Sequence, residues 1–161
     1  MKKIYLTRHA KAKKDEVGND FERTLSKKGL EELEKLIPRL KKHAIKPDII
    51  IASPAFRTAK TATMIAKALD YDTSKIAFEE FLYEANAKEI FTFLKGLSDE
   101  FSEVLLIAHN PALKELCELL CEIHLSSFPT SSTLEVEFNI DKFENLCERG
   151  GKILFFEKIK E

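Results

Sequence analysis

The chain has 161 residues, of which 44% are hydrophobic and 33% are charged. This length is near the usual size of one domain, and the composition is that of an ordinary globular protein, so neither disorder nor a membrane protein is favoured. The charges of the 26 basic and 27 acidic residues nearly cancel. The protein as a whole therefore has no positive electrostatic field that would attract nucleic acid or an anionic membrane. We expect one domain over residues 1–161, in which any anion recognition is local.

The cysteines and the N-terminal segment give no sign of a zinc protein, a secreted protein or a membrane protein. Cys117 and Cys121 are spaced to lie one turn apart on one helix, and no second close pair of Cys or His completes a zinc site. The apolar run Ile4–Leu6 is too short for a signal peptide, and no run is long enough to span a bilayer. We therefore expect a cytoplasmic protein with no metal site and no cofactor.

Six segments are predicted as strands and four as helices. They alternate through the first two-thirds of the chain, which is typical of an α/β domain with a largely parallel sheet. Two strands are continuous apolar runs, as expected where helices cover both faces of a sheet. The predicted architecture is a three-layer α/β sandwich of about six strands, which are Lys3–Thr7, Asp48–Ala52, Ile76–Glu79, Val104–Ala108, Thr133–Asn139 and Lys152–Glu157.

The first helix is predicted to begin at Ser26. Leu30 and Leu33 fall on its apolar face, and Glu32 is placed on the solvent face. Pro38 should kink or shorten the helix, because proline lacks the backbone donor and its ring clashes with the preceding turn.

Helices two and four are predicted to begin at Ser53-Pro54 and Asn110-Pro111, and helix three covers about Ala87–Leu97. Serine or asparagine before proline is a start signal, because the side-chain oxygen caps free N–H groups and proline fits the first helical position.

Polar groups follow three of the predicted strands. In open α/β sheets, ligands bind beyond the carboxyl ends of the strands, and two helix N-termini would direct free N–H groups into the same crevice. The sequence therefore predicts an anion site built from Thr7-Arg8-His9, from Ser53-Pro54 with Arg57 one turn later, and from His109-Asn110-Pro111.

Arginine usage supports a phosphate as the anion. The chain has 21 lysines but only five arginines, and Arg8 and Arg57 both flank the predicted crevice. The planar guanidinium matches pairs of phosphate oxygens, which lysine cannot do. His9 and His109 should face each other across the pocket, and a neutral imidazole can attack phosphorus once cations have drawn charge from the phosphoryl oxygens.

These residues resemble the histidine phosphatase superfamily, the group that includes phosphoglycerate mutases, and most closely its short bacterial phosphohistidine phosphatases of the SixA type. The order and separations of four segments carry the resemblance: Leu6–Ala10, Arg23–Gly29, Ser53–Thr61 and Ile107–Pro111. The resemblance implies a phosphoglycerate mutase-like fold and a metal-independent phosphohydrolase.

In the chemistry that the resemblance implies, His9 takes the phosphoryl group and then yields it to water. Arg8, Arg57 and His109 would form the phosphate pocket, and the second ring nitrogen of His9 should donate to a carbonyl. Arg23 sits where the short family members also carry arginine. It would either touch phosphate or form a structural salt bridge.

The sequence does not decide which residue is the general acid or what the substrate is. Glu84 is the best candidate acid because larger family members place a carboxylate in a similar setting, and the alternative is an exposed loop glutamate. An alkoxide leaving group needs such an acid, whereas the labile P–N bond of phosphohistidine does not. Ala10 replaces the usual glycine after Arg-His, a change that the short subgroup tolerates.

The absence of a long insertion that could cover the pocket favours a phosphoryl group presented on a protein. The expected partner is a phosphorylated protein, such as a histidine phosphocarrier, and phosphohistidine is its favoured phosphoryl group. The alternatives are a small-molecule phosphomonoesterase, or a catalytically silent phosphate-binding module. Neither a nucleic acid nor a membrane is expected as a partner.

Overall fold

The computed structural model describes residues 1–14 and 18–159. Its centre is a six-stranded sheet with the strand order β3-β2-β4-β1-β5-β6. Neighbouring strands from β3 to β1 pair in parallel, β5 runs antiparallel to β1, and β6 runs antiparallel to β5. The strands are β1 Lys2–Arg8, β2 Ile49–Ala52, β3 Ala77–Phe78, β4 Glu103–Ala108, β5 Thr133–Phe138 and β6 Lys152–Glu157.

Four α-helices cover the sheet: α1 Lys27–Lys42, α2 Phe56–Ala68, α3 Ala87–Lys95 and α4 Ala112–Leu120. Side chains alternate along the strands, so successive residues enter different cores. Ile4 and Leu6 of β1 pack with α3 and α4, whereas Tyr5 packs with α1 and α2. The predicted α/β sandwich with a mixed, mostly parallel sheet is confirmed.

Helix α1 differs from its prediction in two ways. Glu32, expected in solvent, is only 4% exposed, and Leu30, expected in the core, is 36% exposed. The buried face runs through Gly29, Glu32, Leu33, Leu36 and Leu40, so the helix is rotated relative to the expected face. Two features account for this rotation. Gly29 packs closely against the Lys11 backbone, and the carboxylate of Glu32 has hydrogen-bond partners inside the protein.

Pro38 lies inside α1, and the helix continues past it to Lys42. Of the two expected effects of Pro38, the shortening of the helix was therefore wrong, and the kink stays a prediction. The predicted start was correct, because the Ser26 side chain accepts a hydrogen bond from the Gly29 backbone N–H at 3.0 Å.

Helices α2 and α4 begin later than predicted. Helix α2 begins at Phe56 and α4 at Ala112, and neither has a side-chain cap at the residue before it. Ser53 and Asn110 stay in the turns between strand and helix, where their side chains contact other groups of the site. The physical reason is that the chain needs a connecting turn after each strand before it can reverse over the sheet.

The close approach of helix α1 to the segment after β1 requires a glycine at position 29. A Cβ atom built on Gly29 would lie 2.1 Å from the Lys11 backbone oxygen, far inside van der Waals contact. Ser26 closes the same junction, since its backbone N–H donates to the Lys11 oxygen at 2.9 Å. The N-terminus of α1 therefore holds the segment that follows β1 in place.

No helix in the described part of the chain is both long enough and apolar enough to cross a membrane.

Candidate active site

Two histidines meet at the carboxyl edge of the sheet. His9 directly follows β1 and His109 directly follows β4, and Arg8 pairs with Ala108 in the register of these adjacent strands. The ring centroids of the two histidines lie 5.4 Å apart. His9 is 7% exposed and His109 is 9% exposed. The parallel pairing of two central strands therefore creates a largely buried imidazole pair.

The orientation of His9 is fixed through one ring nitrogen. Its Nδ1 lies 2.7 Å from the Ala10 backbone oxygen, and a carbonyl only accepts, so Nδ1 carries the proton. The Ala10 N–H in turn donates to Thr61 Oγ1 at 3.0 Å, and the Thr61 hydroxyl donates to the Arg57 oxygen at 2.8 Å. In the neutral ring, Nε2 therefore holds the lone pair.

Both histidines are poor proton acceptors in this setting. Burial lowers the pKa of His9 to about 4, helped by the positive charges of Arg8 and Arg57, although the hydrogen bond to Ala10 acts in the opposite direction. Burial lowers the pKa of His109 to about 3, with further contributions from His9 and Arg57. Both rings are neutral at neutral pH.

Arg57 lies in the first turn of α2 and is held by Asp20. Arg57 Nη1 donates to the Asp20 backbone oxygen at 2.8 Å, and Nη2 donates to the Asp20 carboxylate at 3.0 Å. Tyr83 and Arg23 donate to the same carboxylate, at 2.6 and 2.8 Å. The Tyr83 hydrogen bond and the two guanidinium groups lower the pKa of Asp20 to about 2, so this carboxylate is ionised.

Arg8 is anchored on the other side of His9. Arg8 Nη1 donates to the Phe128 backbone oxygen at 3.2 Å, and Asn110 Nδ2 donates to the same oxygen at 2.8 Å. The buried Arg8 Nε has no hydrogen-bond partner among the described residues. Burial lowers the pKa of Arg8, an effect that the nearby Glu32 opposes. The turn before β5 thus contributes one carbonyl that orients two site residues.

His109 contacts Ser53, which follows β2. His109 Nε2 lies 2.8 Å from Ser53 Oγ, and Ser53 Oγ also accepts from the Ala55 N–H at 3.3 Å. The sequence had placed Ser53 at the end of a strand that faces the anion site and had suggested a capping role for its side chain, but it did not predict the contact with His109. The Tyr83 ring packs edge-on against the His109 ring, with centroids 5.6 Å apart.

The two histidines, the arginines and Asp20 line one cavity of about 410 Å³, which we call the histidine lobe. It brings together all six predicted site residues. Glu84 is exposed at its rim, and Arg23 both lines the lobe and forms the salt bridge to Asp20. The lining residues are Arg8, His9, Asp20, Arg23, Arg57, Tyr83, Glu84, His109 and Asn110.

Sequence reasoning missed Asp20, Tyr83 and the buried Glu32. Asp20 precedes Arg23 by three residues, a spacing that pairs charges on one helical turn, so a signal for it existed. Glu32 lies three residues after Gly29 and four before Leu36, which places it on the buried face of α1. No signal in the sequence placed Tyr83 near Asp20, since this contact depends on the tertiary fold.

A family model, that of the histidine phosphatase superfamily (branch 1), matches residues 4–90. The chain belongs to the histidine phosphatase superfamily. The resemblance inferred from the four segments is confirmed, and family and fold together support phosphatase chemistry. No curated protein sequence matches the chain.

Solved structures of phosphatases resemble this one over nearly the whole chain. A candidate phosphohistidine phosphatase SixA from Agrobacterium tumefaciens is 25% identical, with a TM-score of 0.83 over 98% of this chain and 97% of that chain. A protein histidine phosphatase SixA complexed with tungstate is 22% identical, with the same TM-score and the same coverage. A mycobacterial glucosyl-3-phosphoglycerate phosphatase is 14% identical, with a TM-score of 0.71 over 96% and 98%.

Proposed function

We propose that residues 1–161 act as one histidine phosphatase domain that removes a phosphoryl group from phosphohistidine on a protein. The observation that carries the proposal is the tautomer of His9: the Nδ1–H donates to Ala10, which leaves the Nε2 lone pair as the nucleophile. The low pKa of His9 keeps that lone pair available at neutral pH.

In the first step, the substrate imidazole carries a proton on its second ring nitrogen, and His9 Nε2 attacks phosphorus. The P–N bond breaks, and the substrate ring keeps the electron pair and leaves as neutral imidazole. The new phosphohistidine carries positive charge on its ring, which the Nδ1–H shares with the Ala10 oxygen. In the second step, water attacks phosphorus, the bond to Nε2 breaks, and inorganic phosphate leaves. Arg8, Arg57 and His109 stabilise the charge on the equatorial oxygens in both steps.

The role of His109 follows from its contact with Ser53. The Ser53 oxygen accepts from Ala55, so its single proton can be donated to His109 Nε2. His109 Nδ1 then carries a proton, which a neutral ring can donate to a phosphoryl oxygen. Binding of a dianionic phosphoryl group would raise the pKa of both histidines, because an opposite charge favours the protonated ring.

We further propose that the reaction needs no metal ion. Arg8, Arg57 and Arg23 surround the place where phosphate would bind, and the buried Nε–H of Arg8 lacks a partner among the described residues. Guanidinium groups supply the charge neutralisation for which other phosphoryl-transfer enzymes use magnesium. Activity should therefore survive exhaustive treatment with a chelator.

Support for phosphohistidine as the substrate comes from two sources. The structure that is 25% identical over 98% of the chain is described as a candidate phosphohistidine phosphatase. Glu84 lies at the exposed rim of the lobe, and cleavage of a P–N bond does not require a carboxylic acid there.

A small phosphomonoester is the second candidate substrate, because Glu84 does line the lobe. In that case Glu84 would protonate the departing alkoxide. Several similar structures are described as phosphatases of small molecules, including a mycobacterial glucosyl-3-phosphoglycerate phosphatase.

The test is a single-turnover assay in chelator, with a phosphohistidine-bearing phosphocarrier protein and with p-nitrophenyl phosphate. Wild type, His9→Ala and Glu84→Gln are compared. We expect rapid release of phosphate from the phosphocarrier, its loss in His9→Ala, and little change in Glu84→Gln. Fast turnover of the aryl phosphate together with an inert phosphocarrier would favour the phosphomonoesterase. No His9-dependent turnover of either substrate would favour a phosphate-binding module.

A further inference from the structure

The crevice has a second lobe beside the one that holds the histidine pair. The two lobes share Arg8, His9 and Arg23, so these three residues form the boundary between them. The second cavity has a volume of about 290 Å³, and we call it the lysine lobe. Beyond the three shared residues it is lined by Lys11, Ala12, Lys14, Pro129 and Thr130.

The two lobes differ in charge. The histidine lobe includes two carboxylates, those of Asp20 and Glu84. Among the described residues, the lining of the lysine lobe includes no carboxylate, and Lys11 and Lys14 add their charges to those of the boundary arginines.

A buried carboxylate lies close to the lysine lobe. Glu32 is 4% exposed, and it accepts hydrogen bonds from the Lys11 backbone N–H and from the hydroxyls of Thr130 and Ser131, all between 2.9 and 3.0 Å. Glu32 therefore ties the wall formed by residues 130–131 to the wall formed by Lys11. Among the described residues, the cations that line the lobe are Arg8, Lys11, Lys14 and Arg23, whereas Glu32 is buried behind it and the Asp20 carboxylate pairs with Arg23.

We propose that the lysine lobe binds a second anionic group of the substrate, a carboxylate or phosphate on the same molecule as the phosphoryl group. This inference rests on the proposed function of the site, because it takes His9 as the residue that receives the phosphoryl group. His9 lies at the boundary of the lobes, so an anion carried close to the phosphorus atom can reach Lys11 and Lys14. The same chemistry could come from an acidic side chain beside a phosphohistidine or from a small acid.

Paired phosphonates that cannot be hydrolysed test the subsite directly. Calorimetry at low salt compares 3-phosphonopropionate with propylphosphonate, and phosphonoacetate with ethylphosphonate, so that each pair differs by a carboxylate in place of a methyl group. We expect the carboxylate to bind about fivefold more tightly in at least one pair, the size of a favourable ion pair at a solvated site.

Variants assign that preference to the lobe. Lys11→Gln and Lys14→Gln should each reduce the preference for the carboxylate, and the double variant should abolish it while keeping the affinity for propylphosphonate. Lys13→Gln is the matched control, because Lys13 is exposed and is not among the described residues that line the lobe. The Lys13→Gln variant should prefer the carboxylate as strongly as wild type does.

Phosphohistidine peptides separate the two sources of the anion. Faster hydrolysis of a peptide with Glu rather than Gln beside the phosphohistidine, lost in the double variant, would support the subsite and assign it to acidic protein segments. A preference confined to the phosphonates would support the subsite and assign it to small acids.

Equal affinities within both phosphonate pairs, or a preference that survives in the double variant, would overturn the inference. This result would leave the proposed function intact if phosphohistidine is still hydrolysed through His9. A wild-type protein that binds none of the phosphonates and hydrolyses nothing would contradict the phosphate pocket itself.

Discussion

Arg57 donates two hydrogen bonds to Asp20, one to the backbone oxygen at 2.8 Å and one to the carboxylate at 3.0 Å. The hydrogen bond to the backbone oxygen depends on where the loop lies, whereas the hydrogen bond to the carboxylate depends on the negative charge of Asp20. Tyr83 and Arg23 bind the same carboxylate. Asp20 therefore joins the loop after β1, the start of α2 and the segment before α3 around one edge of the pocket.

We predict that Asp20→Asn lowers kcat about tenfold and leaves KM unchanged or lower. The amide keeps the size of the side chain but loses the charge that orients Arg57, and a hydrogen bond to a charged group contributes about 1.5 kcal/mol, near a tenfold rate effect. Loss of a negative charge beside the phosphate would not weaken substrate binding. Steady-state kinetics measure both constants.

Glu22→Gln is the control for Asp20→Asn, since Glu22 is an exposed acid of the same short helical turn, Asp20–Glu22. It should retain wild-type kinetics. An Asp20→Asn variant with wild-type kcat would show that Arg57 does not depend on this carboxylate.

The buried histidines predict a loss of stability in acid. Their pKa values of about 4 and 3 in the folded protein lie below the ordinary value of 6.5. The unfolded chain therefore binds protons first as the pH falls through 6.5. The free energy of unfolding should decrease from about pH 6.5 towards pH 4, by up to about 1.4 kcal/mol per pH unit for each histidine.

Denaturant titrations across this pH range measure the effect, and NMR titration of the ring protons assigns it. The His9→Gln variant should have a shallower pH dependence of stability than wild type, because it removes one of the two protons taken up on unfolding. His124→Gln is the control, because the His124 side chain is 89% exposed. A wild-type slope in His9→Gln would contradict the assignment.

We predict that Ser53→Ala lowers kcat about tenfold and destabilises the fold by about 1 kcal/mol. The variant leaves His109 Nε2 without its hydroxyl partner, and a lost hydrogen bond at a buried group costs about this much. Ser132→Ala is a matched control, because Ser132 is equally buried but its hydroxyl has no partner among the described residues. Equal effects in the two variants would argue against a specific role for Ser53.

Gly29→Ala should destabilise the protein by about 1–3 kcal/mol, the usual cost of overpacking. The added methyl group would meet the Lys11 backbone oxygen at 2.1 Å, whereas the same change at Gly96 meets its nearest atom at 3.5 Å. Chemical denaturation should therefore show a lower free energy of unfolding for Gly29→Ala and little change for Gly96→Ala. A Gly29→Ala variant as stable as wild type would show that the Lys11 segment can move aside.

The parts of the site that sequence could predict are those fixed by strand ends. Arg8 ends an apolar strand, and His9 and His109 directly follow apolar strands whose parallel pairing places their carboxyl ends together. Arg57 lies one helical turn after the third such strand. The local sequence pattern was enough to place these residues, because it shows where each strand ends and the parallel direction of the strands brings those ends to one edge of the sheet.

The parts that could not be predicted depend on packing between distant segments. Asp20 reaches Arg57 only because the turn Asp20–Glu22 packs against the start of α2, and Tyr83 joins it from more than 60 residues away. Glu32 was misplaced because a charged residue was assumed to face solvent, whereas Thr130 and Ser131 satisfy its carboxylate inside the protein.

The most direct test of the account is to trap the phosphorylated enzyme. Wild type and His9→Ala are mixed with the phosphohistidine-bearing phosphocarrier, quenched in alkali within one turnover, and analysed by intact mass and by phosphorus NMR. The account predicts a phosphoryl group on Nε2 of His9 in wild type and none in His9→Ala. Release of phosphate without any phosphoenzyme, or a phosphorylated His9→Ala, would contradict nucleophilic attack by His9.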